Sequence, residues 1–349
     1  MSKGLELLFF LGRPFSPLYS AIMTAREKLY TAGVFGRQTL QVPVISVGNL
    51  VLGGTGKTPT VQYLARLLLQ QGYHPAVISR GHGGKARDAV NIVSDGNKIL
   101  LSATLAGDEP YMLAESLPGV PVLTGLRRMF PCRRAISQFN ADVIILDDGF
   151  QHLSVARDID IVLFDGTALA GNSRVFPGGP LREPTASLKR CNAFLLTGKN
   201  SSNEERIKKF AELLQLKFPG RPVFNSSLES YDLIESNGKI SKDLSSEDFF
   251  GFCGIANPDR FEKSLADKKI KLRDFLALKD HTSYTQNLVS YLCKKANECG
   301  AKKLVTTEKD FVKLRNFDFQ LPLYVLHLQY KVEQSLDLFV LNCLKNINK

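Results

Sequence analysis

Apolar residues fall along the chain in short, nearly unbroken runs. They occur at 41–47 (QVPVISV), Pro75–Ser79, 142–146 (DVIIL), 159–164 (IDIVLF) and Ala193–Thr197 (AFLLT), with a shorter run at 120–123. Runs of this length, rich in Val, Ile and Leu, predict strands covered on both faces, as in a parallel sheet. Between the first two runs the period changes. Over 59–71, Val61, Leu64, Leu67 and Leu68 recur at helical spacing, which predicts a helix with one buried face. Strands alternating with helices predict an α/β fold with helices on both faces of a parallel sheet.

A polar stretch at 225–243, rich in Ser and Asn, predicts a boundary. A second α/β series follows it. Strands are predicted at 249–253, 303–306 and 323–328, and helices at 257–266 and 332–344. The expected organisation is an N-terminal segment (1–40), a phosphate-loop domain (41–226) and a smaller α/β domain (227–349). The smaller domain is expected to close over the active site, and its last helix could pack back on the first domain. No internal repeat is evident.

The first 40 residues follow another pattern. The apolar stretch from Leu5 to Leu11 is interrupted by Glu6 and broken by Arg13, Pro14 and Pro17. It falls short of the roughly 20 apolar residues that a membrane-spanning helix needs. No small-residue cleavage site follows, so a signal peptide is not expected. After Pro17 a helix is predicted with Leu18, Ala21, Ile22, Ala25 and Leu29 on one face and Arg26 and Lys28 beside it; Arg37 lies beyond. Such a helix fits the plane of a membrane interface, with basic residues toward lipid phosphates. It equally fits a core helix packed on the domain, and periodicity leaves both open.

Composition narrows the partners. At 44% hydrophobic residues the chain can bury a core, which excludes a disordered protein. Lys and Arg number 45 against 34 Asp and Glu, a formal charge of +11. This favours an anionic partner: nucleic acid, acidic lipid or a phosphorylated substrate. There is no long Lys/Arg run and no aromatic-rich basic repeat, so nucleic acid is not expected. No obligate protein partner is evident. The 6 cysteines form no CxxC pair and are read as free thiols in a reducing cytoplasm.

The most specific chemistry follows the first strand. Gly53-Gly54-Thr55-Gly56-Lys57-Thr58 lies between that strand and a helix, the setting of a P-loop. Glycines let backbone N–H groups converge on phosphate oxygens, and the helix N-terminus adds a favourable dipole. Lys57 would reach the β- and γ-phosphates of ATP, and the Thr58 hydroxyl could ligate Mg²⁺. Val51 stands where the strict GxxxxGK[ST] form has its first glycine. Leu52 stands where the dimeric partitioning and metal-insertion ATPases carry a signature lysine, which disfavours that class.

Other candidates carry two readings each. Asp147-Asp148 ends an apolar strand, as Mg²⁺-binding carboxylates do, or forms a simple Asp-Asp-Gly turn. In Gly107-Asp108-Glu109-Pro110, Asp108 could accept a hydroxyl proton, or cap a helix with Pro110 in its first turn. Asp280-His281 suits acid/base work or a structural role. Arg182, after a Pro/Gly loop, suits phosphate recognition or is an ordinary surface residue. Thr306-Thr307-Glu308-Lys309-Asp310 reads as a strand end and helix cap.

In order along the chain these pieces resemble the tetraacyldisaccharide 4′-kinase family. The resemblance is carried by Ser46–Asn49 running into the P-loop, Ser79-Arg80-Gly81-His82-Gly83, Gly107–Pro110 and Asp147-Asp148-Gly149-Phe150-Gln151-His152. Pro180–Pro184 (PLREP), Gly254–Pro258 (GIANP), Asp280-His281 and Thr306–Asp310 complete it. It implies transfer of the ATP γ-phosphate to the 4′-hydroxyl of tetraacyldisaccharide 1-phosphate, forming lipid IVA in lipid A biosynthesis. It further implies a catalytic base at Asp108 with His281 as its partner. Phosphate and Mg²⁺ residues are implied at Lys57 and Thr58, an acidic Mg²⁺-side motif at Asp147, Asp148 and Gln151, and a segment near the reacting phosphate at Arg182 and Glu183. The family has a membrane-associated N-terminal helix, which implies a peripheral or monotopic protein on the cytoplasmic face of a Gram-negative inner membrane. His82 replaces the family's usual Tyr, and Thr282 follows His281 where an aromatic residue or a second His is usual. The alternatives are a non-enzymatic P-loop switch, for which an NKxD-type base reader is missing, or another P-loop ATPase.

Overall fold

The computed structural model of the chain describes residues 3–200, 202–236, 248–280 and 282–347. The chain forms two compact units: Met1–Ser227 together with Tyr330–Lys349, and Leu228–Gln329.

In the first unit the apolar runs are strands: β1 (Val44–Asn49), β2 (Pro75–Ser79), β3 (Asn91–Asp95), β4 (Pro121–Thr124), β5 (Val143–Asp147), β6 (Ile159–Asp165), β7 (Ala193–Thr197) and β8 (Val223–Glu235), which runs past the boundary. They lie in the order β8-β7-β6-β1-β5-β2-β4-β3. Every pair is parallel except β3 with β4. Strands β1, β5, β6 and β7 are buried at every position. Both their faces are covered, so no polar alternation is required of them.

The helices of this unit are α1 (Lys3–Gly12), α2 (Ser16–Thr31), α3 (Lys57–Gln70), α4 (Ala103–Ala106), α5 (Asp108–Ser116), α6 (Met129–Phe139) and α7 (Glu204–Lys217). Helix α3 buries Val61, Leu64 and Leu68 completely against Ile45 and Val47 of β1 and their neighbours. Each such side chain stabilises the fold by about 1.5–3 kcal/mol, which fixes the glycine loop that precedes α3.

The second unit contains β9 (Asp248–Cys253), β10 (Lys271–Ala277), β11 (Lys303–Thr307) and β12 (Leu323–Val332), parallel and in the order β10-β9-β11-β12. With them go α8 (Pro258–Asp267), α9 (Gln286–Glu298) and α10 (Glu308–Leu314). Phe250, Phe252, Leu292 and Leu304 anchor a separate core. The chain then returns to the first unit. Helix α11 (Gln334–Ile347) places Leu336, Val340 and Leu344 in the core that holds Leu64.

Sequence and structure differ at three places, although the division between the units falls within the polar stretch. The polar stretch from 225 is strand β8 as far as Glu235; residues 237–247 lie outside the described ones. Strands β3 (NIVSD) and β10 (KLRDFLA) carry polar positions that hid them, and Lys271, Arg273 and Asp274 are exposed at a sheet edge. Helix α2 starts at Ser16, with Pro17 in its first turn, and it is not a core helix. It buries no residue, and Leu18 and Ile22 are 64% and 56% exposed. Its other face seats it: Tyr19 meets Phe176 edge-on at 5.7 Å, and the Ser16 hydroxyl donates to the Val175 carbonyl. No described helix is long and apolar enough to cross a membrane.

Candidate active site

Strand register aligns the groups that carry chemistry. Val47 of β1 lies opposite Asp147 of β5, and Asn49 lies opposite Leu163 of β6. Ser79 directly follows Ile78, which pairs with Leu146. The carboxyl ends of these parallel strands therefore form one edge, where α/β sheets bind ligands.

The glycine loop leaves β1 at this edge. The Asn49 side-chain amide donates to the carbonyls of Val51 (2.7 Å) and Gly53 (3.3 Å) and so shapes the turn. Gly53 and Gly56 adopt φ of +112° and +79°, a region that costs other residues about 1–2 kcal/mol. A Cβ on Gly56 would also press on Thr197 at 3.3 Å. The Thr197 hydroxyl donates to the Thr55 carbonyl (3.0 Å). Gly56 is the N-cap of α3, so the free N–H groups of its first turn face the loop, as an anion requires.

Val51 in the strict-glycine position has a physical reason. It forms an antiparallel bridge with Leu181, flanked by Leu52 N–H to Pro180 O and Arg182 N–H to Leu50 O, both 2.8 Å. The entry to the loop is strand-like, and a β-branched residue fits it. This pairing delivers Arg182 to the loop.

Arg182 donates to both oxygens of Asp148 (3.0 and 2.9 Å) and to Gln151 Oε1 (3.3 Å). Lys57 Nζ lies 3.6 Å from Asp148. The structure thus brings Lys57, Asp148, Gln151 and Arg182 together. Burial would raise the Asp148 carboxyl, but Lys57 and Arg182 outweigh it and hold it below the usual range. Asp147 differs. It is fully buried, accepts from the Ser79 hydroxyl (3.0 Å) and is pushed up to about 6, by burial first and then by the charges of Glu109 and Asp148. Two adjacent carboxylates with opposite shifts have different tasks. Glu183 is turned away to Arg190, at 2.7 Å.

Asp108 opens α5, and Gly107 takes the N-cap position, with φ +94°. Asp108 is therefore not the cap; it is a half-buried carboxylate in the first turn, where the helix dipole favours its charge. A Cβ on Gly107 would strike the His82 carbonyl at 2.5 Å, and one on Gly84 would strike the Leu105 carbonyl. The 80–84 loop and the Gly107 turn thus pack backbone to backbone. Glu109, next to Asp108, is close enough to raise Asp147. His281 lies outside the described residues. Beside it, Asp280 pairs with Lys309 at 3.3 Å.

Arg128 belongs to no motif in the sequence. It is buried, donates to the Gly125 carbonyl (3.2 Å) and acts electrostatically on Asp147 and Asp148. Its signal was weak: a cation shortly after the strand end Thr124-Gly125. Burial, helped by Arg128, pushes His152 down to about 4, so its imidazole is neutral at physiological pH.

The donor chemistry fits Mg²⁺. This ion prefers hard oxygen ligands and takes one or two carboxylates beside phosphate and water oxygens. Asp147 is a buried carboxylate whose ionised form is disfavoured despite the charges of Lys57 and Arg128, and a bound cation would favour it. Half-buried Thr58, the second residue of α3, adds a hydroxyl.

A parallel α/β sheet with a glycine loop on a central strand, and Lys, Arg and paired carboxylates at its carboxyl edge, defines a P-loop phosphotransferase. Residues 8–345 match the family model for tetraacyldisaccharide-1-P 4′-kinase. The tetraacyldisaccharide 4′-kinase of Desulfotalea psychrophila is 47% identical over 96% of this chain and 97% of its own. That of Syntrophus aciditrophicus is 41% identical over 95% and 92%. The crystal structure of LpxK from Aquifex aeolicus, in complex with ATP, is 32% identical with a TM-score of 0.76, covering 95% of this chain and 98% of that one. The chain belongs to the tetraacyldisaccharide 4′-kinase family.

Proposed function

We propose that the chain transfers the γ-phosphate of ATP to the 4′-hydroxyl of a tetraacyldisaccharide 1-phosphate, giving lipid IVA in lipid A biosynthesis. The observation that carries this reading is Asp148 held between Lys57 and Arg182 at the mouth of the glycine loop. Phosphoryl transfer demands positioning and charge neutralisation more than covalent chemistry. Gly53, Gly54, Thr55 and Gly56 would cradle the β- and γ-phosphates. Lys57 and Arg182 would exchange part of their hold on Asp148 for the oxygens of the transferred group. Thr58 and Asp147, with Gln151 close by, would hold Mg²⁺, which supplies charge neutralisation across the phosphates. Asp108 would accept the hydroxyl proton as the oxygen attacks. The role of His281 as its partner rests on the family motif alone.

A membrane surface is the proposed setting. Leu7, Leu8, Phe10, Leu11, Phe15, Leu18 and Ile22 are all exposed on α1, α2 and the turn between them. An apolar array of this kind supports docking in a lipid interface, here the cytoplasmic face of the inner membrane. The +11 charge suits acidic lipid and a phosphorylated substrate.

The test is incubation with γ-labelled ATP, with and without the acylated disaccharide 1-phosphate in mixed micelles. Label in the lipid fraction is expected. Label released only as inorganic phosphate, at a rate indifferent to lipid, would refute the proposal.

A further inference from the structure

Arg190 closes the short 3-10 helix Thr185–Arg190 and joins three segments that are remote in sequence. Its guanidinium pairs with Glu183 beside Arg182 (2.7 Å) and with Glu27 of α2 (2.9 Å). It lies over the Phe150 ring at 4.4 Å and donates to the Phe150 carbonyl at 3.4 Å. The side chains of Arg190 and Glu183 are only 12% and 4% exposed. Geometry must hold such a pair closely, because an unpaired buried charge is strongly unfavourable.

The neighbours of these partners are the phosphate-site residues. Arg182 precedes Glu183, and Asp148 and Gln151 bracket Gly149-Phe150. A second link runs from Arg26 of α2 to the Gln151 carbonyl at 3.2 Å. Arg26 therefore turns toward the backbone beside the site. Leu18 and Ile22 of α2 are exposed. Elsewhere on the helix, Arg26 donates to the Gln151 carbonyl and Glu27 reaches Glu183 through the Arg190 side chain.

We infer that Arg190 is a positioning residue, acting through Arg182, that couples the seating of α2 to the geometry of the phosphate site. The N-terminal helices are then part of the catalytic framework and not a detachable anchor. The inference rests on the kinase reading above.

The test compares Arg190→Lys and Glu27→Gln with the parent, in the labelled-ATP assay with acylated disaccharide in mixed micelles. Glu27→Gln leaves the Arg190–Glu183 pair in place, so it reads the coupling even if Arg190→Lys fails to fold. Both variants should lose at least about tenfold in kcat, because a misplacement of about 1 Å costs on the order of a hundredfold. KM for ATP should stay within about twofold, since the glycine loop is untouched. In an Arg182→Ala background neither change should lower kcat further. A structural role alone would multiply the losses there, and that result overturns the inference. So would parental rates for both single variants alongside a slow Arg182→Ala. A parent that labels no lipid would overturn the kinase reading and this inference together, which separates the two failures.

Discussion

Replacing Asp147 with Asn should stabilise the fold while abolishing its use. In the folded chain burial pushes the Asp147 carboxyl up to about 6, from an ordinary 3.8. The folded state thus binds its proton more tightly than the unfolded state does. Between about pH 4 and pH 6 folding takes up that proton, so stability falls as pH rises through this window. A shift of about 2 units, at 1.36 kcal/mol per unit, sets an upper bound of about 3 kcal/mol for the penalty above pH 7. Asn has no charge to bury and can still accept from Ser79. Urea unfolding of the nucleotide-free protein, followed by circular dichroism because the chain has no Trp, should find Asp147→Asn more stable than the parent at pH 8. At pH 4 the two should agree within about 1 kcal/mol. With ATP and Mg²⁺ the order should reverse, because only the parent gains a bound cation at this position. A variant less stable than the parent at pH 8, or a difference independent of pH, would refute the reasoning.

Three further outcomes are expected. Asp108→Ala should lower kcat by about 10²–10⁴-fold, the usual contribution of a positioned base, while ATP affinity by calorimetry stays within about threefold; a near-parental rate would remove Asp108 from the chemistry. Gly107→Ala forces a Cβ onto the His82 carbonyl at φ +94° and should lower the thermal midpoint measurably, with a loss of more than about 2 kcal/mol. Leu11→Ser, Leu18→Ser and Ile22→Ser together should weaken sedimentation with anionic phospholipid vesicles at least about tenfold, leaving the circular dichroism spectrum unchanged; unaltered sedimentation would count against the lipid-facing role of α1 and α2.

The parts legible in the sequence share one property: their cause is local. A strand, a glycine loop and a helix start within 30 residues announce Lys57 and Thr58, and Asp147-Asp148 can be read from the apolar run before them. Residues whose meaning depends on topology stayed hidden. Arg190 means little until α2, the Glu183 loop and Phe150 meet around it. Glu109 stood out only as a neighbour of Asp108, yet its charge reaches Asp147 because α5 leads into β4 in the order β5-β2-β4, which no local pattern encodes. Strands β3 and β10 escaped because edge strands bury only part of their surface and carry no unbroken apolar run. Val51 looked like a defect in the phosphate loop. Its bridge to Leu181 turns it into the joint that presents Arg182.

The central claim is that one phosphate moves from ATP to one defined hydroxyl, and that the glycine loop moves it. Phosphorus NMR of the lipid product tests this most directly, with the parent and Lys57→Ala run side by side. The parent should convert the acylated disaccharide 1-phosphate to a bisphosphate with one new monoester at the 4′ position, and Lys57→Ala should give less than about a hundredth of that product. No second phosphate monoester with the parent, or equal conversion by Lys57→Ala, would contradict the account.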